Sequence, residues 1–298
     1  MTAAIRTDQL SKHFFRLQAL DRLTLEVPEG AIYSLVGPNG AGKTTAIKIF
    51  MNLLAASSGQ AEVLGRDSRH MRGKAYTQIG YVSENQEIPE WMKVGALFDY
   101  LRDFYPTWDR DLEDSLIKQF DLPRDRKIKA LSRGMKMKLA LASALAFHPK
   151  LIVLDEPFGG LDPLVRDQLI EGLLERAQEF TIFLSSHDLA EIESFASHVG
   201  YLEQGRLRFS EEMTSLTARF REVELTFDVE RPLPSPLPPT WLQAKSAGAV
   251  VRFVETRFEQ AETEAEILRV FGPSKDACFR PMTLRAIFLA MARKSGEA

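Results

Sequence analysis

The sequence predicts an α/β protein built on a mostly parallel sheet, followed by a smaller α+β domain. Three observations carry that prediction. "AIYSLV" (residues 31–36), "LIVLDEP" (151–157) and "TIFLSSHD" (181–188) are continuous apolar runs rather than alternating ones, as expected of strands covered on both faces. Helical patterns separate the runs, which is the arrangement of parallel strands joined by crossovers. After about Ser215 the character changes: "VELTFDVE" and "AVVRFVETRF" alternate like half-exposed strands on either side of the proline-rich connector "RPLPSPLPP".

In chain order, "LQALDRLTLEVPEG" reads as strand material ending in a turn at residues 28–30, a small antiparallel piece beside the main sheet. Residues 31–36 close on Gly37, so a buried strand runs into a glycine-rich turn, and a helix is expected from about Gly42 to Leu54. Between Glu87 and Lys150 the strand signals vanish. "VGALFDYLRDFY", "DLEDSLIKQF" and "KMKLALASALAF" all read as helix there, which marks an inserted helical subdomain. Within it Ser132 is an apt N-cap for a helix from about Met135 to Phe147, whose free N–H groups and dipole would point at whatever lies in front. Taken alone, the feature reads first as a capped core helix, because such caps are common. Two helical segments, around "AETEAEILRVF" and "MTLRAIFLAMARK", close the chain. The expected domains are residues 1–215, with the helical insertion at about 87–150, and residues 216–298.

Composition bounds the function. The chain has 298 residues, 45% of them hydrophobic, ample for a sizeable core. A formal charge of -3 supplies no global field to recruit nucleic acid or anionic lipid, so no nucleic-acid partner is expected. The single cysteine, Cys278, cannot form an internal disulfide, and "MTAAIRTDQL" lacks a signal-peptide core, both of which favour the cytosol. The longest apolar stretch, "LALASALAF", falls well short of the roughly 20 residues that span a bilayer.

Chemistry concentrates in two motifs. "GPNGAGKTT" satisfies G-x-x-x-x-G-K-[ST] between a strand and a helix. Its residues Gly37, Pro38, Asn39, Gly40, Ala41, Gly42, Lys43, Thr44 and Thr45 would form a nest of backbone N–H groups for phosphate oxygens, reinforced by the helix dipole. Lys43 would reach the β and γ phosphates, Thr44 would place its hydroxyl on Mg²⁺, and Thr45 would add a phosphate contact. "LIVLDEP" delivers Asp155 and Glu156 at the carboxyl end of an apolar strand, where open α/β sheets bind ligands, so one carboxylate can hold Mg²⁺ while the next orients water.

With these residues the chain resembles the nucleotide-binding subunit of an ATP-binding cassette (ABC) transporter, a P-loop NTPase. "GPNGAGKTT" matches the family's Walker A loop, "LSRGM" its LSGGQ-type signature, "LIVLDEP" its Walker B strand, "GGLDP" its D-loop and "SSHD" its switch histidine, in the family's order over roughly residues 5–212. The resemblance implies a head-to-tail dimer with a second copy or a paralogous cassette, Ser132 and Gly134 of one subunit closing over the γ-phosphate held by the other. It implies that Glu156, His187 and Lys43 carry catalysis, that Phe14 stacks on adenine and that Asp162 crosses the dimer interface. An amphipathic strand would also bury a phenylalanine at position 14.

The chain departs from the family pattern at three places. Glu84 stands where the family has a glutamine, and an acid there could still reach Mg²⁺ together with Thr44 and Asp155 while adding charge beside Asp155 and Glu156. In the signature, Arg133 replaces a glycine and Met135 a glutamine. These features, with "FYPTWD" and the ending "MTLRAIFLAMARK", look most like the ABC-2 type exporter branch. The implied activity is ATP hydrolysis driving a separate transmembrane permease from the inner face of the membrane, with "IPEWMKVGALFDY" as the docking surface. A soluble ABC-type factor acting on DNA or ribosomes is the rival. The short distance from Thr44 to Ser132 and the single cassette argue against it. A regulatory module without hydrolysis is a third reading, disfavoured by Glu156 and His187.

Overall fold

The computed structural model describes residues 2–84 and 86–294; Met1, Asn85 and residues 295–298, which the two expected domains include, lie outside the described residues. The chain divides into two compact units, one ending at Ser210 and the other beginning at Glu211.

In the first unit, β1 (Ala3–Phe14) and β2 (Leu17–Pro28) pair antiparallel, and β4 (Ser58–Val63) and β5 (Arg66–Asp67) extend them into a sheet of order β2-β1-β4-β5. Alternate residues of β2 turn inward, so Leu23, Leu25 and Val27 are buried while Thr24 and Glu26 face water, the period-2 pattern of a sheet with one covered face. Beside it, β10 (Arg206–Glu212), β9 (His198–Glu203), β3 (Ile32–Val36), β8 (Thr181–Ser186), β7 (Leu151–Asp155) and β6 (Ile79–Ser83) form a six-stranded sheet in that order. β9, β3, β8, β7 and β6 run parallel. Every residue of β7 and β8 is buried, the reason these strands read as unbroken apolar runs. Phe183 of β8 stacks on Tyr33 of β3 at 5.8 Å and meets Phe50 edge-on at 5.6 Å, fixing the central strands against α1 (Lys43–Phe50).

α1 is shorter than the expected Gly42–Leu54. It stops at Phe50 because Asn52 adopts a left-handed backbone, φ 51°, and spends its amide on the carbonyls of Arg69 and Met71, and asparagine in that conformation ends helices.

The expected helical insertion contains α2 (Val94–Arg102), α3 (Arg110–Gln119) and α4 (Arg133–Leu145). α4 begins and ends two residues before the span expected for it. Ser132 caps it by accepting the Met135 N–H at 3.2 Å, which places Arg133 and Gly134 inside the first turn. The insertion is organised around Glu113, 1% exposed, whose carboxylate accepts from Arg102 (2.9 Å), Arg124 (2.9 Å) and the Trp108 indole (2.9 Å). A buried charge needs partners of this kind.

The first unit also carries α5 (Pro163–Leu174) and the short α6 (Leu189–Ile192); the second carries α7 (Met213–Arg219), an antiparallel sheet and two further helices, α8 (Gln260–Phe271) and α9 (Leu284–Lys294). The sheet order is β12 (Trp241–Ala247), β13 (Val250–Glu255), β11 (Arg221–Thr226) and β14 (Asp276–Pro281). Trp241 stacks on Phe253 at 4.0 Å and Phe271 at 5.7 Å, while its indole N–H donates to buried Glu255 at 2.8 Å, so one side chain joins sheet, helix and a buried acid. Among the described residues no helix is long and apolar enough to cross a membrane.

Candidate functional site

The loop of residues 37–42 leaves the carboxyl end of β3 and enters α1 at Gly42, whose φ of +109° is closed to other residues without strain. A Cβ there would also lie 2.4 Å from the Ala19 carbonyl. Glycine at the N-cap offers no side-chain oxygen to the first turn, so the N–H groups of that turn stay open to an anion. The loop is held from behind. Ala41 accepts the Gly205 N–H at 3.0 Å, and the Gly205 carbonyl accepts the Asp21 N–H at 2.9 Å.

Lys43, 5% exposed, curls back on this loop and donates to the carbonyls of Gly37 (2.7 Å) and Pro38 (3.3 Å). Its ammonium also lies 3.0 Å from Glu156 Oε1. The other oxygen of Glu156 lies 2.8 Å from His187 Nδ1. Lys43, Glu156 and His187, the three residues expected to act in catalysis, therefore form one continuous chain of contacts. Glu156 holds a left-handed backbone, φ 50°, a conformation that costs a non-glycine residue about 1 kcal/mol or more. Its N–H is secured by the Ser185 hydroxyl at 2.9 Å.

Asp155, at the end of β7, accepts the Thr44 hydroxyl at 3.0 Å and the Ser185 hydroxyl at 2.7 Å. Burial, and secondarily the charge of Glu156, push its carboxyl above the usual range; the Ser185 and Thr44 hydroxyls and the Lys43 ammonium only partly oppose this. A carboxylate in this condition lacks a full counter-charge. A hard cation would supply one, and the Thr44 and Asp155 oxygens are the donor type that Mg²⁺ selects, with one or two carboxylates and the rest of the shell from water and phosphate. Among the described residues no group of three or more His, Cys, Asp or Glu side chains could cage an ion alone. The residues present thus fit a magnesium ion shared with a nucleotide.

Thr44, Asp155 and Glu156 open on a cavity of about 250 Å³ that Lys48, Tyr81, Ser83 and Glu84 also line. Glu84, expected from the sequence to be a third metal ligand, stands on its wall, and its Oε1 accepts Arg133 Nη2 at 2.7 Å. Of the other expected site residues, Lys43, Thr45, His187 and the loop of residues 37–42 are not among the lining residues, nor are Phe14, Ser132, Gly134 and Asp162. Phe14 ends β1 with a part-exposed ring under the Lys12 ammonium, 4.9 Å from its centroid. Gly134 is buried where a Cβ would meet Val165 at 2.9 Å, and Asp162 caps α5 (Pro163–Leu174) by accepting the Val165 N–H at 3.1 Å. The residue that sequence reasoning missed is Ser185. It stands opposite Asp155 in the β7–β8 register and serves both acids, and its place two residues before His187 at the end of an apolar run was the available signal.

The model of the family described as "ABC transporter" matches residues 20–159, which takes in the phosphate loop, the helical insertion and both acids. The bacitracin transport ATP-binding protein BcrA of Bacillus licheniformis is 32% identical over 217 residues, 70% of this chain and 69% of that protein. The chain belongs to the ABC transporter ATP-binding proteins. The ABC transporter ATP-binding protein YtrB of Bacillus subtilis is 29% identical over 228 residues, 76% of this cassette chain and 78% of its own. A solved ATP-binding subunit of an ABC transporter, 26% identical, superposes with a TM-score of 0.66 over 73% of the cassette chain and 92% of its own. The α/β cassette fold expected from the sequence is thereby shown.

Proposed function

We propose that this cassette hydrolyses ATP in a head-to-tail pair with a second copy or a paralogous cassette, and so drives a separate transmembrane permease. The observation that carries the proposal is the Lys43–Glu156–His187 chain beside the Thr44–Asp155 pair. Lys43 and the α1 N-terminus hold the phosphates. Glu156 accepts a proton from water aimed at the γ-phosphate, and His187 fixes the orientation of that carboxylate. Thr44 and Asp155 would hold Mg²⁺, which when bound would supply charge neutralisation on the phosphate oxygens. Ser132 and Gly134 present the capped start of α4 to the nucleotide of the opposite subunit, and Asp162 lies at that boundary. Phe14, exposed at the end of β1, is available to stack on adenine.

Docking on the permease is assigned to the helical insertion, where Trp91, Tyr100 and Phe104 are exposed and the last two rings lie 5.1 Å apart. Large aromatics left in water are the kind of anchor interfaces use. Such docking places the cassette on the inner face of the membrane. The similarity to a bacitracin transport protein favours the exporter branch. Dilution tests the shared site: turnover per subunit should fall as the protein is diluted below its dimerisation range. Constant turnover would overturn the paired arrangement.

A further inference from the structure

The two departures from the family pattern that carry charge, Arg133 and Glu84, meet each other. Arg133 occupies the first turn of α4, where the positive end of the helix dipole disfavours a cation, so its position does not serve the helix. Its guanidinium instead reaches Glu84 Oε1 at 2.7 Å, with the two side chains 53% and 40% exposed. The contact is packed against the loop after β7: a Cβ on Gly160, where φ is +66°, would lie 2.8 Å from Arg133 Nη1, and one on Gly159 would lie 3.4 Å from Glu84 Oε1. The Glu84 backbone is fixed as well, its N–H donating to the Asp155 carbonyl at 2.9 Å. Glu84 lines the same cavity as Thr44, Asp155 and Glu156.

We propose that Arg133 is a positioning residue that competes with the nucleotide's magnesium ion for Glu84 and thereby sets how tightly magnesium nucleotide is held. The inference rests on the reading of this cavity as the magnesium nucleotide site. A carboxylate oxygen engaged by a guanidinium is a weaker metal ligand, and by reciprocity a metal that takes Glu84 loosens Arg133 from the loop of Gly159 and Gly160. The pair thus links the signature helix, the cavity wall and the loop after β7. Without Arg133 the three acids Glu84, Asp155 and Glu156 would face the cavity with Glu84 uncompensated.

The test is ADP binding to the full chain, measured by titration calorimetry in magnesium and in chelator, for the wild type, Arg133→Ala, Arg133→Lys, Glu84→Gln and the double variant Glu84→Gln with Arg133→Ala. ADP on dilute protein avoids any contact from an opposite subunit. Arg133→Ala should tighten ADP binding in magnesium by about two- to five-fold, the equivalent of a part-exposed ion pair. Arg133→Lys should stay within about twofold of wild type. The tightening should vanish in chelator and in the Glu84→Gln background. Unchanged or weaker binding by Arg133→Ala in magnesium, or tightening that persists in chelator or without Glu84, would overturn the proposal. A wild type that binds ADP equally with and without magnesium would instead overturn the reading of the cavity itself, and this proposal with it.

Discussion

His187 Nδ1 lies 2.8 Å from Glu156 Oε2, so the imidazole grips one oxygen of a carboxylate whose other oxygen is held by Lys43 at 3.0 Å. Both ends of the acid are anchored before any water or phosphate approaches. That arrangement makes the carboxylate charge, rather than its shape, the feature to remove.

Glu156→Gln keeps the shape and loses the charge. Turnover should fall by roughly 10²–10⁴-fold, the range general-base removal produces, while ATP binding persists and an ATP-bound dimer accumulates. Phosphate release and size-exclusion chromatography with ATP are the measurements. Hydrolysis at the wild-type rate would remove Glu156 from its role.

Asp155→Asn separates folding from binding. Burial raises the Asp155 carboxyl above its ordinary range, so the ionised form strains the nucleotide-free fold at neutral pH. A raised native pKa favours folding at low pH and loses that contribution as pH climbs through the native value. The amide, which can still accept from Thr44 and Ser185, should therefore raise the urea midpoint of the nucleotide-free protein at pH 7, with the gain shrinking toward pH 4. The magnesium-dependent part of nucleotide affinity should drop at least about tenfold. A lower midpoint at pH 7 would contradict the assigned strain.

Glu113 has the opposite sign. Burial opposes its ionisation, yet the Arg102 guanidinium, the Trp108 indole and Arg124 outweigh that and hold the carboxyl below the usual range. Its stabilisation is complete above the ordinary glutamate value near 4.5 and is lost as pH falls through the depressed native value. Glu113→Ala should cost about 2 kcal/mol at pH 7 by leaving the Trp108 indole without its acceptor and Arg102 with Asp99, at 3.1 Å, as its remaining carboxylate. The penalty should narrow below pH 4. Denaturant unfolding across pH 3–7 reads both quantities.

Trp91 is 75% exposed. Trp91→Ala should leave stability within about 0.5 kcal/mol while reducing co-purification with the permease. Intact pairing with an unstable fold would show that the indole serves the cassette instead.

How much of this was legible depended on where the physics is local. The apolar runs of β7 and β8 announce themselves because both faces of each strand are covered, and the phosphate loop because its glycines and lysine answer to backbone geometry. Ser132 was legible as a cap for the same reason. β4, in "SGQAEV", is half polar and exposed, and it exists through pairing with β1; β14 is exposed or half-buried throughout and depends equally on β11. No local pattern specifies either. Ser185 and the Arg133–Glu84 contact lie further still from sequence reading, because each joins residues from separate strands, loops or helices that only the folded sheet brings together.

The support behind the phosphate loop has one more consequence. Ala41 is tied to Gly205, and Gly205 to Asp21, so the curvature of the nest is imposed by remote parts of the chain and not by its guest. Its conformational entropy is surrendered during folding, which leaves less to be lost when nucleotide arrives. Residues 21 and 205, though neither lines the cavity, thereby govern how ready the receptor is for its ligand.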